Sequence, residues 1–273
     1  MKIIVVLTCF NRKAKTLECV KRLIDGNQDV EFEFVIVDDG STDGTEQALS
    51  ESEYAGFLEI IKTDGNCYYS GGMNLGMSYI LRNGKKADYL LMVNDDVCFY
   101  EDSIVKLTRL SKRKNDGVIV GVTCDLQGKQ TYGAVRYLGG FSVKYSTVLC
   151  GDNEECDTFN ANCVLIPYPV FEKTDVMDPY YVHSLGDFDY GLSLKKNGAK
   201  IYSSDIYVGV CERNSSKGTW LDCSLPLKTR LKLKESVKGA PAKQWFYFLK
   251  KNFGLGKALI FTVTPYIKIV LGQ

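Results

Sequence analysis

The order of apolar and polar residues over the first hundred positions alternates between short apolar runs and longer amphipathic stretches. The apolar runs predict four β-strands, at residues 2–8, 32–38, 57–62 and 89–93. The stretches between them predict helices at residues 13–24, from Thr45 onward and at residues 72–82. Apolar strands separated by such helices indicate a mostly parallel sheet covered on both faces. Sheets of this kind bind ligands beyond the carboxyl ends of their strands.

A different pattern follows residue 117, where strand-like runs are separated by loops rich in glycine, tyrosine and acidic residues. Strands are predicted at residues 118–124 and 159–167, and a helix at residues 187–197, ending before Gly198. Long loops of this kind predict a second binding surface. The predicted fold class is α/β: a Rossmann-like, mostly parallel sheet flanked by helices, a smaller mixed sheet and a C-terminal helical extension.

The composition narrows the class of protein. The chain of 273 residues is 45% hydrophobic and 25% charged, which suits a sizeable core and excludes disorder. Its start, MKIIVVLTCFNRK, reads as a strand rather than a signal peptide, so we expect a cytoplasmic protein. No two of the ten cysteines have a two-residue gap, and one histidine is present, which argues against zinc. We expect free, buried cysteines in a reducing compartment.

Charge is distributed unevenly along the chain, although the net charge is +1. Residues 213–273 contain 12 Lys and Arg against 2 Asp and Glu, whereas residues 1–212 contain 22 against 31. Such a basic tail predicts contact with an anionic surface, either membrane or nucleic acid. Only ten residues lie between Lys257 and Lys268, too few to span a bilayer. The tail's aromatic stretch, WFYFLKKNFG, is therefore either a helix at a membrane interface or a helix packed on the body.

Acidic and amide side chains stand at the ends of two predicted strands. Asp38 and Asp39 end the second strand, and Asn94, Asp95 and Asp96 follow the fourth. Asn and Asp tolerate irregular backbone and cap helices, so a turn is one interpretation. The other is a site for a hard divalent cation, which prefers oxygen ligands.

Five motifs, in the order VLTCFNR, VDDGSTDGT, GNCYYSGGMNLGM, NDDV and GDFDYGLSLKKNG, together resemble the family 2 glycosyltransferases with the GT-A fold. The resemblance covers most of residues 1–215 and is closest to the bacterial branch that builds capsule, O-antigen and other surface polysaccharides. It implies an inverting transfer of a sugar from a UDP-, dTDP- or GDP-linked donor to a hydroxyl of a saccharide or lipid-linked saccharide. It implies no nucleic-acid partner. The anionic surface predicted for the tail is then the inner face of the cell membrane, with peripheral contact. Residues 1–220 would form the GT-A domain, in which residues 1–100 hold the nucleotide sugar and residues 101–220 hold the acceptor. Residues 221–273 would form the C-terminal helical extension.

The resemblance also implies a metal site. The charge that develops on a pyrophosphate leaving group is readily neutralised by a divalent cation with oxygen ligands. Asn94 and Asp96 match the first and last positions of the family's DXD motif, which implies that they bind Mn²⁺ or Mg²⁺. Cys211 stands where many relatives have a metal-binding histidine, and a thiol is a poor ligand for a hard cation.

Further residues are assigned to the nucleotide sugar by the same resemblance. Asp39 would accept a hydrogen bond from the base or ribose, whereas Asp43 fits a helix cap better. Gly72 would let backbone approach the ligand closely or simply permit a helix start. The predicted donor-binding residues are Thr8, Asn11, Asp39, Asn66, Gly72, Asn74 and Asp95.

The last motif supplies the predicted catalytic base. Inverting transfer needs one group that removes the proton of the acceptor hydroxyl. Alignment with the family's Glu-Asp motif places Asp187 at the base and Gly186 at the Glu position, so Asp189 is a partial substitute for the missing carboxylate. His183 is expected to contact the acceptor or to be structural. Tyr180, Tyr181 and Trp220 are candidates for stacking on sugar rings or for the core.

Two other functions remain as alternatives. A sugar-nucleotide pyrophosphorylase shares the α/β layout, but it usually has a glycine-rich loop after the first strand, and TCFNRKAK contains no glycine. A catalytically inactive subunit that binds nucleotide or saccharide is the other alternative, and the presence of Asp96 and Asp187 argues against it.

Overall fold

A computed structural model describes residues 1–272 of the chain. Twelve strands are present in this part of the chain. They are β1 (Lys2–Cys9), β2 (Glu31–Asp38), β3 (Leu58–Lys62), β4 (Tyr89–Val93), β5 (Cys98–Phe99), β6 (Val118–Cys124), β7 (Ala134–Tyr137), β8 (Tyr145–Thr147), β9 (Glu155–Cys156), β10 (Thr158–Phe159), β11 (Cys163–Pro167) and β12 (Ile201–Val210).

Ten α-helices are found over the same residues. They are α1 (Lys13–Asp25), α2 (Thr45–Ser50), α3 (Tyr68–Arg82), α4 (Ser103–Arg113), α5 (Tyr168–Thr174), α6 (Gly186–Lys196), α7 (Leu227–Lys234), α8 (Ala242–Phe253), α9 (Leu255–Phe261) and α10 (Thr264–Val270).

Nine strands form one large sheet in the order β3-β2-β1-β4-β11-β6-β12-β5, with β9 paired to β12. The first four strands in this order are parallel, β11 is antiparallel to both of its neighbours, and β6 and β12 are parallel. Strands β10, β7 and β8 form a separate antiparallel sheet. The chain order reverses between β1 and β4, and a ligand crevice is expected outside the carboxyl ends of strands at such a point.

The apolar runs become strands because both faces of the sheet are covered. In β1, Ile3, Val5 and Leu7 belong to one core, while Ile4 and Val6 belong to the core on the opposite face. All five side chains are fully buried. Successive side chains of a strand point to opposite faces, so a continuous apolar run is what a doubly covered strand requires.

Most of the predicted elements are present, with shifted ends. Helix α3 begins at Tyr68 rather than at Gly72, because the backbone N–H groups of Cys67 and Tyr68 donate to the carboxylate of Asp39. Helix α6 begins at Gly186, one residue before its predicted start. The α/β fold class with a mostly parallel sheet and a C-terminal helical part is confirmed.

The aromatic stretch of the tail forms α8, and this helix packs on the body. Phe248 and Leu249 are buried in a third apolar core together with Tyr181. Lys251 of α8 makes ion pairs with Asp178 and Asp189, at 2.7 and 2.6 Å. Of the two interpretations of WFYFLKKNFG, packing on the body is therefore the one observed. Within residues 1–272, no helix is both long enough and apolar enough to cross a membrane.

Candidate active site

A cleft of about 570 Å³ lies beyond the carboxyl ends of β1, β2 and β4, and we call it the main cleft. It brings together side chains that are up to 230 positions apart, because Thr8 and Lys238 both line it. The predicted residues in its wall are Thr8, Asp39, Asn94, Asp95, Asp96 and Asp187.

Asp39 shapes one end of the main cleft. Its buried carboxylate accepts hydrogen bonds from Thr63 Oγ1 at 2.6 Å and from the N–H groups of Cys67 and Tyr68 at 2.9 and 2.7 Å. Tyr68 has a φ of +53°, a left-handed conformation that is uncommon for an aromatic residue. Asp39 therefore holds the loop before α3 in place while it lines the cleft.

Asn11 and Asp43 organise the neighbouring loops rather than the cleft wall. Asn11 accepts a hydrogen bond from the Thr42 N–H at 2.8 Å through Oδ1. Asp43 accepts from the N–H of Thr45 at 3.1 Å and from the N–H of Lys13 at 3.0 Å, at the starts of α2 and α1. The expected capping role of Asp43 is thus found, and Asn11 does not line the main cleft.

Besides Asn11, three predicted donor-binding residues do not line the main cleft. Asn66 is exposed, and Asn74 Nδ2 donates to the carbonyl oxygen of Met177 at 2.5 Å. At Gly72 an added Cβ would lie 2.4 Å from Thr8 Oγ1, so glycine is required for α3 to pack against β1. Packing against β1 accounts for the glycine at position 72 without a ligand contact or a helix start. Helix α3 already starts at Tyr68, and the glycine faces the sheet.

A basic residue that the motif assignment missed binds the acidic loop. Arg12 Nη1 lies 2.9 Å from both Asp95 Oδ1 and Asp96 Oδ2. Thr16 Oγ1 donates to the other oxygen of Asp95 at 3.3 Å. Burial raises the pKa of Asp95 to about 6, although the charge of Arg12 acts to lower it. The sequence signal was the arginine in CFNR, three residues after the end of β1.

The oxygens at residues 94–96 fit a divalent cation that takes its other ligands from phosphate and water. Within residues 1–272, no cluster of three or more His, Cys, Asp or Glu side chains is arranged to hold a metal. Asn94 Oδ1 is buried without a hydrogen-bond partner, and Asp96 is the accessible carboxylate beside it in the cleft wall. Mg²⁺ is commonly bound through one or two protein oxygens plus substrate phosphates, which suits this donor set.

Cys211 lies beside the acidic loop, as its alignment with the family's histidine implies. Its Sγ is 3.6 Å from Asp96 Oδ1 and accepts a hydrogen bond from Asn162 Nδ2 at 3.4 Å. Burial, with a contribution from Asp96, raises the pKa of the Cys211 thiol to about 12. The sulfur is therefore a protonated thiol at neutral pH, and it donates to Asp96.

Asp187 also lines the main cleft, at the start of α6. Its oxygens accept from the N–H of Phe188 at 2.8 Å and from the N–H of Ala161 at 3.4 Å. Burial raises the pKa of this carboxyl to about 6, although both N–H groups lower it. A carboxylate of this kind is a stronger proton acceptor than an ordinary Asp and is largely ionised at neutral pH.

The neighbours of Asp187 explain its sequence context. Leu185 has a φ of +74°, which turns the chain sharply into α6. An added Cβ at Gly186 would lie 2.4 Å from Ser70 Oγ, so the family's glutamate has no room at this position. Asp189 is buried, bonds to Tyr181, Lys251 and Asn252, and lines no cavity near Asp187. Because its oxygens hold α8 in place, the structure does not support the suggestion that Asp189 substitutes for the missing carboxylate.

A smaller cavity of about 320 Å³, which we call the aromatic cavity, adjoins the main cleft. Tyr69, Asn160, His183 and Asp187 line both. Tyr180, Tyr181 and Trp220 do not line either one, and Tyr181 is fully buried, so for it the core interpretation is correct. The aromatic side chains that line the aromatic cavity are Tyr69, Tyr137, Tyr145, Phe188, Trp245 and Phe248.

The comparison with protein families identifies the class of protein. The model of the family named Glycosyl transferase family 2 matches residues 4–161, which include most of β1 and all of β2, β4 and the acidic loop. The match covers more than half of the chain, and the chain belongs to this family. No curated protein sequence matches it.

Solved structures show the same architecture at low sequence identity. S. aureus TarS 1–349 has a TM-score of 0.59 at 15% identity, over 99% of this chain and 81% of that chain. Its complex with UDP-GlcNAc has a TM-score of 0.62 at 14% identity, over 100% and 93%. The mannosyltransferase PcManGT from Pyrobaculum calidifontis, in complex with GDP-Man and Mn²⁺, has a TM-score of 0.61 at 12% identity, over 99% and 73%. These likenesses establish the GT-A fold.

Proposed function

We propose that this protein is a metal-dependent, inverting glycosyltransferase that moves a sugar from a nucleotide diphosphate donor to a saccharide hydroxyl. One observation carries the proposal: Asp39, the oxygens of Asn94 and Asp96, and Asp187 line a single cleft. Family membership and the fold support sugar transfer, and a nucleotide sugar and Mn²⁺ are bound in a structural neighbour. The pyrophosphorylase alternative is not supported by the family match.

In the proposed reaction the Asp187 carboxylate accepts the proton of the acceptor hydroxyl. The hydroxyl oxygen then forms a bond to the anomeric carbon while the bond to the diphosphate oxygen breaks, which inverts the configuration. Asp39 contacts the base or ribose from the other end of the main cleft. Asn94 and Asp96 would hold Mn²⁺ or Mg²⁺, which would stabilise the negative charge of the leaving diphosphate.

Among residues 1–272, two basic side chains line the main cleft, and both are suited to bind the diphosphate. Arg12 binds Asp95 and Asp96, and Lys238 comes from the tail, just before α8. Guanidinium and ammonium groups are the usual protein partners of phosphate oxygens. We assign the diphosphate to the space between these two residues.

The acceptor is proposed to be a saccharide or lipid-linked saccharide in bacterial surface polysaccharide synthesis, at the cytoplasmic face of the membrane. The motifs of the bacterial branch carry this part of the proposal.

A thermal-shift screen tests the donor. UDP, GDP and dTDP are added separately, with Mn²⁺, with Mg²⁺ or with EDTA, and the melting temperature is measured. We expect one nucleotide to raise it by several degrees in the presence of a metal only. Release of that nucleotide from its sugar conjugates then identifies the donor sugar. No shift with any nucleotide would refute the proposal, and binding without any turnover would favour the inactive-subunit alternative.

We also propose that the end of the tail, residues 255–271, lies on an anionic membrane. This surface consists of α9 and α10, whereas α8 packs on the body. Apolar side chains that are about half exposed or more form it, and the surrounding tail is strongly basic, which complements anionic lipid. The exposed apolar residues are Leu255, Leu259, Ile260, Val263, Ile267, Val270 and Leu271.

A further inference from the structure

The aromatic cavity meets the main cleft at the predicted base. Asp187 belongs to the walls of both, so a ligand in the aromatic cavity would lie next to the group that accepts the proton. Its volume of about 320 Å³ falls at the small end of the range of about 300–1,000 Å³ found for small-molecule sites. A space of this size suits a small ring compound rather than a long chain.

Its walls are aromatic rings held in defined orientations. Tyr145 and Phe188 lie 5.3 Å apart between ring centroids, and Trp245 stacks on Phe248 at 5.5 Å. Trp245 Nε1 donates to the carbonyl oxygen of Phe261 at 3.0 Å, which fixes the indole ring. Rigid aromatic faces of this kind offer a flat apolar surface to a ligand.

Two polar atoms at the junction of the cavities have no hydrogen-bond partner. The hydroxyl of Tyr69 and Nδ1 of His183 are both buried, and neither is bonded within residues 1–272. Hydrogen bonds to the neighbouring backbone fix the two segments relative to each other. Ser70 Oγ donates to the His183 carbonyl oxygen at 2.8 Å, and the Gly71 N–H donates to the Val182 carbonyl oxygen at 3.1 Å. Buried polar groups are nearly always paired, and the two residues that carry these atoms line the same space, which points to a ligand with hydroxyl groups.

We propose that the aromatic cavity binds a pyranose ring of the acceptor saccharide. The C–H face of the ring packs on Tyr145 and Trp245, and the hydroxyls of the ring bond to Tyr69 and His183. The hydroxyl that receives the sugar then lies toward Asp187. This inference rests on the proposed transferase function and adds the acceptor class and its site. It also gives the tail a role in substrate binding, because Trp245 and Phe248 belong to α8.

The test uses the full chain and methyl pyranosides of glucose, galactose, mannose, rhamnose and N-acetylglucosamine. Saturation-transfer NMR measures their binding and shows which ring protons touch the protein. We expect at least one pyranoside to bind, with the strongest transfer on one C–H face. Tyr69→Phe removes only the unpaired hydroxyl and should weaken binding about fivefold, the usual effect of one hydrogen bond. Trp245→Leu should weaken it about tenfold or more.

Tyr180→Phe is the matched control, because Tyr180 is a partly exposed tyrosine of the same region that lines neither cavity. It should leave pyranoside binding unchanged, and all three variants should keep the nucleotide affinity of the wild type. The proposal is overturned if no pyranoside binds, if Tyr69→Phe and Trp245→Leu bind like the wild type, or if dodecanol displaces every pyranoside. Nucleotide binding is measured separately. If pyranosides bind and no nucleotide does, the transferase function is refuted, and the aromatic cavity remains a pyranose site but not an acceptor site.

Discussion

Asp187 is subject to two opposing effects on its pKa. Burial raises the pKa, and hydrogen bonds from two backbone N–H groups lower it, with a net value of about 6. The tyrosines that face this carboxyl have raised pKa values and stay neutral through this range, namely Tyr69, Tyr137 and Tyr145. The Asp187 carboxyl is therefore positioned to change its charge in a mildly acidic solution.

We expect Asp187→Asn to lower kcat by about 10²–10⁴, because the amide keeps the shape but cannot accept the proton. In the wild type, kcat/KM for the acceptor should fall as pH drops through about 6, where the carboxylate becomes protonated. The variant should lack this inflection. Rates are measured with saturating donor between pH 5 and 8. A variant with near wild-type rates would show that the base lies elsewhere.

Asp96 and Asn94 differ in what they offer a cation. Asp96→Ala removes the accessible carboxylate and should abolish metal-dependent binding of the nucleoside diphosphate. Asn94→Asp adds a second carboxylate and should keep or strengthen it. Calorimetry with Mn²⁺ present compares the two variants with the wild type. Equal affinity in the wild type and Asp96→Ala would remove the metal hypothesis.

At the scale of elements, the contact between α3 and β1 depends on a missing side chain. Gly72→Ala places a Cβ 2.4 Å from Thr8 Oγ1, so we expect a loss of about 1–3 kcal/mol in the free energy of unfolding. Gly71→Ala is the matched control in the same helix, since its Cβ meets nothing closer than 3.6 Å. It should be neutral or stabilising by about 0.5 kcal/mol. Urea unfolding measures both, and equal effects would contradict the packing role of Gly72.

The contact between α6 and α8 depends on a buried ionic cluster. Asp189→Asn removes the charge that pairs with Lys251 and should destabilise the protein by about 1–3 kcal/mol, while Asp187 keeps its surroundings. Asp205→Asn breaks an exposed pair with Arg113 and should cost less than about 0.5 kcal/mol. Thermal unfolding compares the two variants. If Asp189→Asn were fully stable but inactive, Asp189 would be catalytic after all.

At the scale of the whole molecule, the basic tail combines a packed helix with an exposed apolar end. We expect the protein to sediment with phosphatidylglycerol vesicles at low salt and less at high salt, because each nearby basic residue adds about 1 kcal/mol that salt screens. The double variant Leu259→Ser, Ile267→Ser should lose this binding. Leu126→Ser, Leu149→Ser changes two exposed leucines outside the tail and should keep it.

Two results would contradict the membrane proposal. One is the absence of salt-sensitive binding to the vesicles. The other is a change of oligomeric state in the tail variant, seen by size-exclusion chromatography, with lipid binding unaffected. The second result would show that the exposed apolar surface is a contact between copies of this chain.

The sequence by itself determined the α/β class, the parallel arrangement of the first strands and the place of the acidic groups. These follow from local properties: the hydrophobic period of each segment reports whether one face or both are buried. The carboxyl ends of parallel strands meet at one edge, so the acids at 38–39 and 94–96 had to lie near each other. Asp39 and Asp96 were accordingly predictable at this edge, whereas Asp187 was assigned by the family resemblance, and the structure places all three in one cleft.

Only the tertiary structure decided which residues complete the site and which support it. Arg12 pairs with residues more than 80 positions away, and Tyr69, His183 and Trp245 of the tail line one cavity. Gly72 and Asp189 belong to motifs but serve packing. Thr8 fills the space beside Gly72, and the oxygens of Asp189 are bonded to side chains of α8. Such roles depend on contacts between distant segments. No local period or residue preference reports those contacts, because they arise only when the helices dock on the sheet.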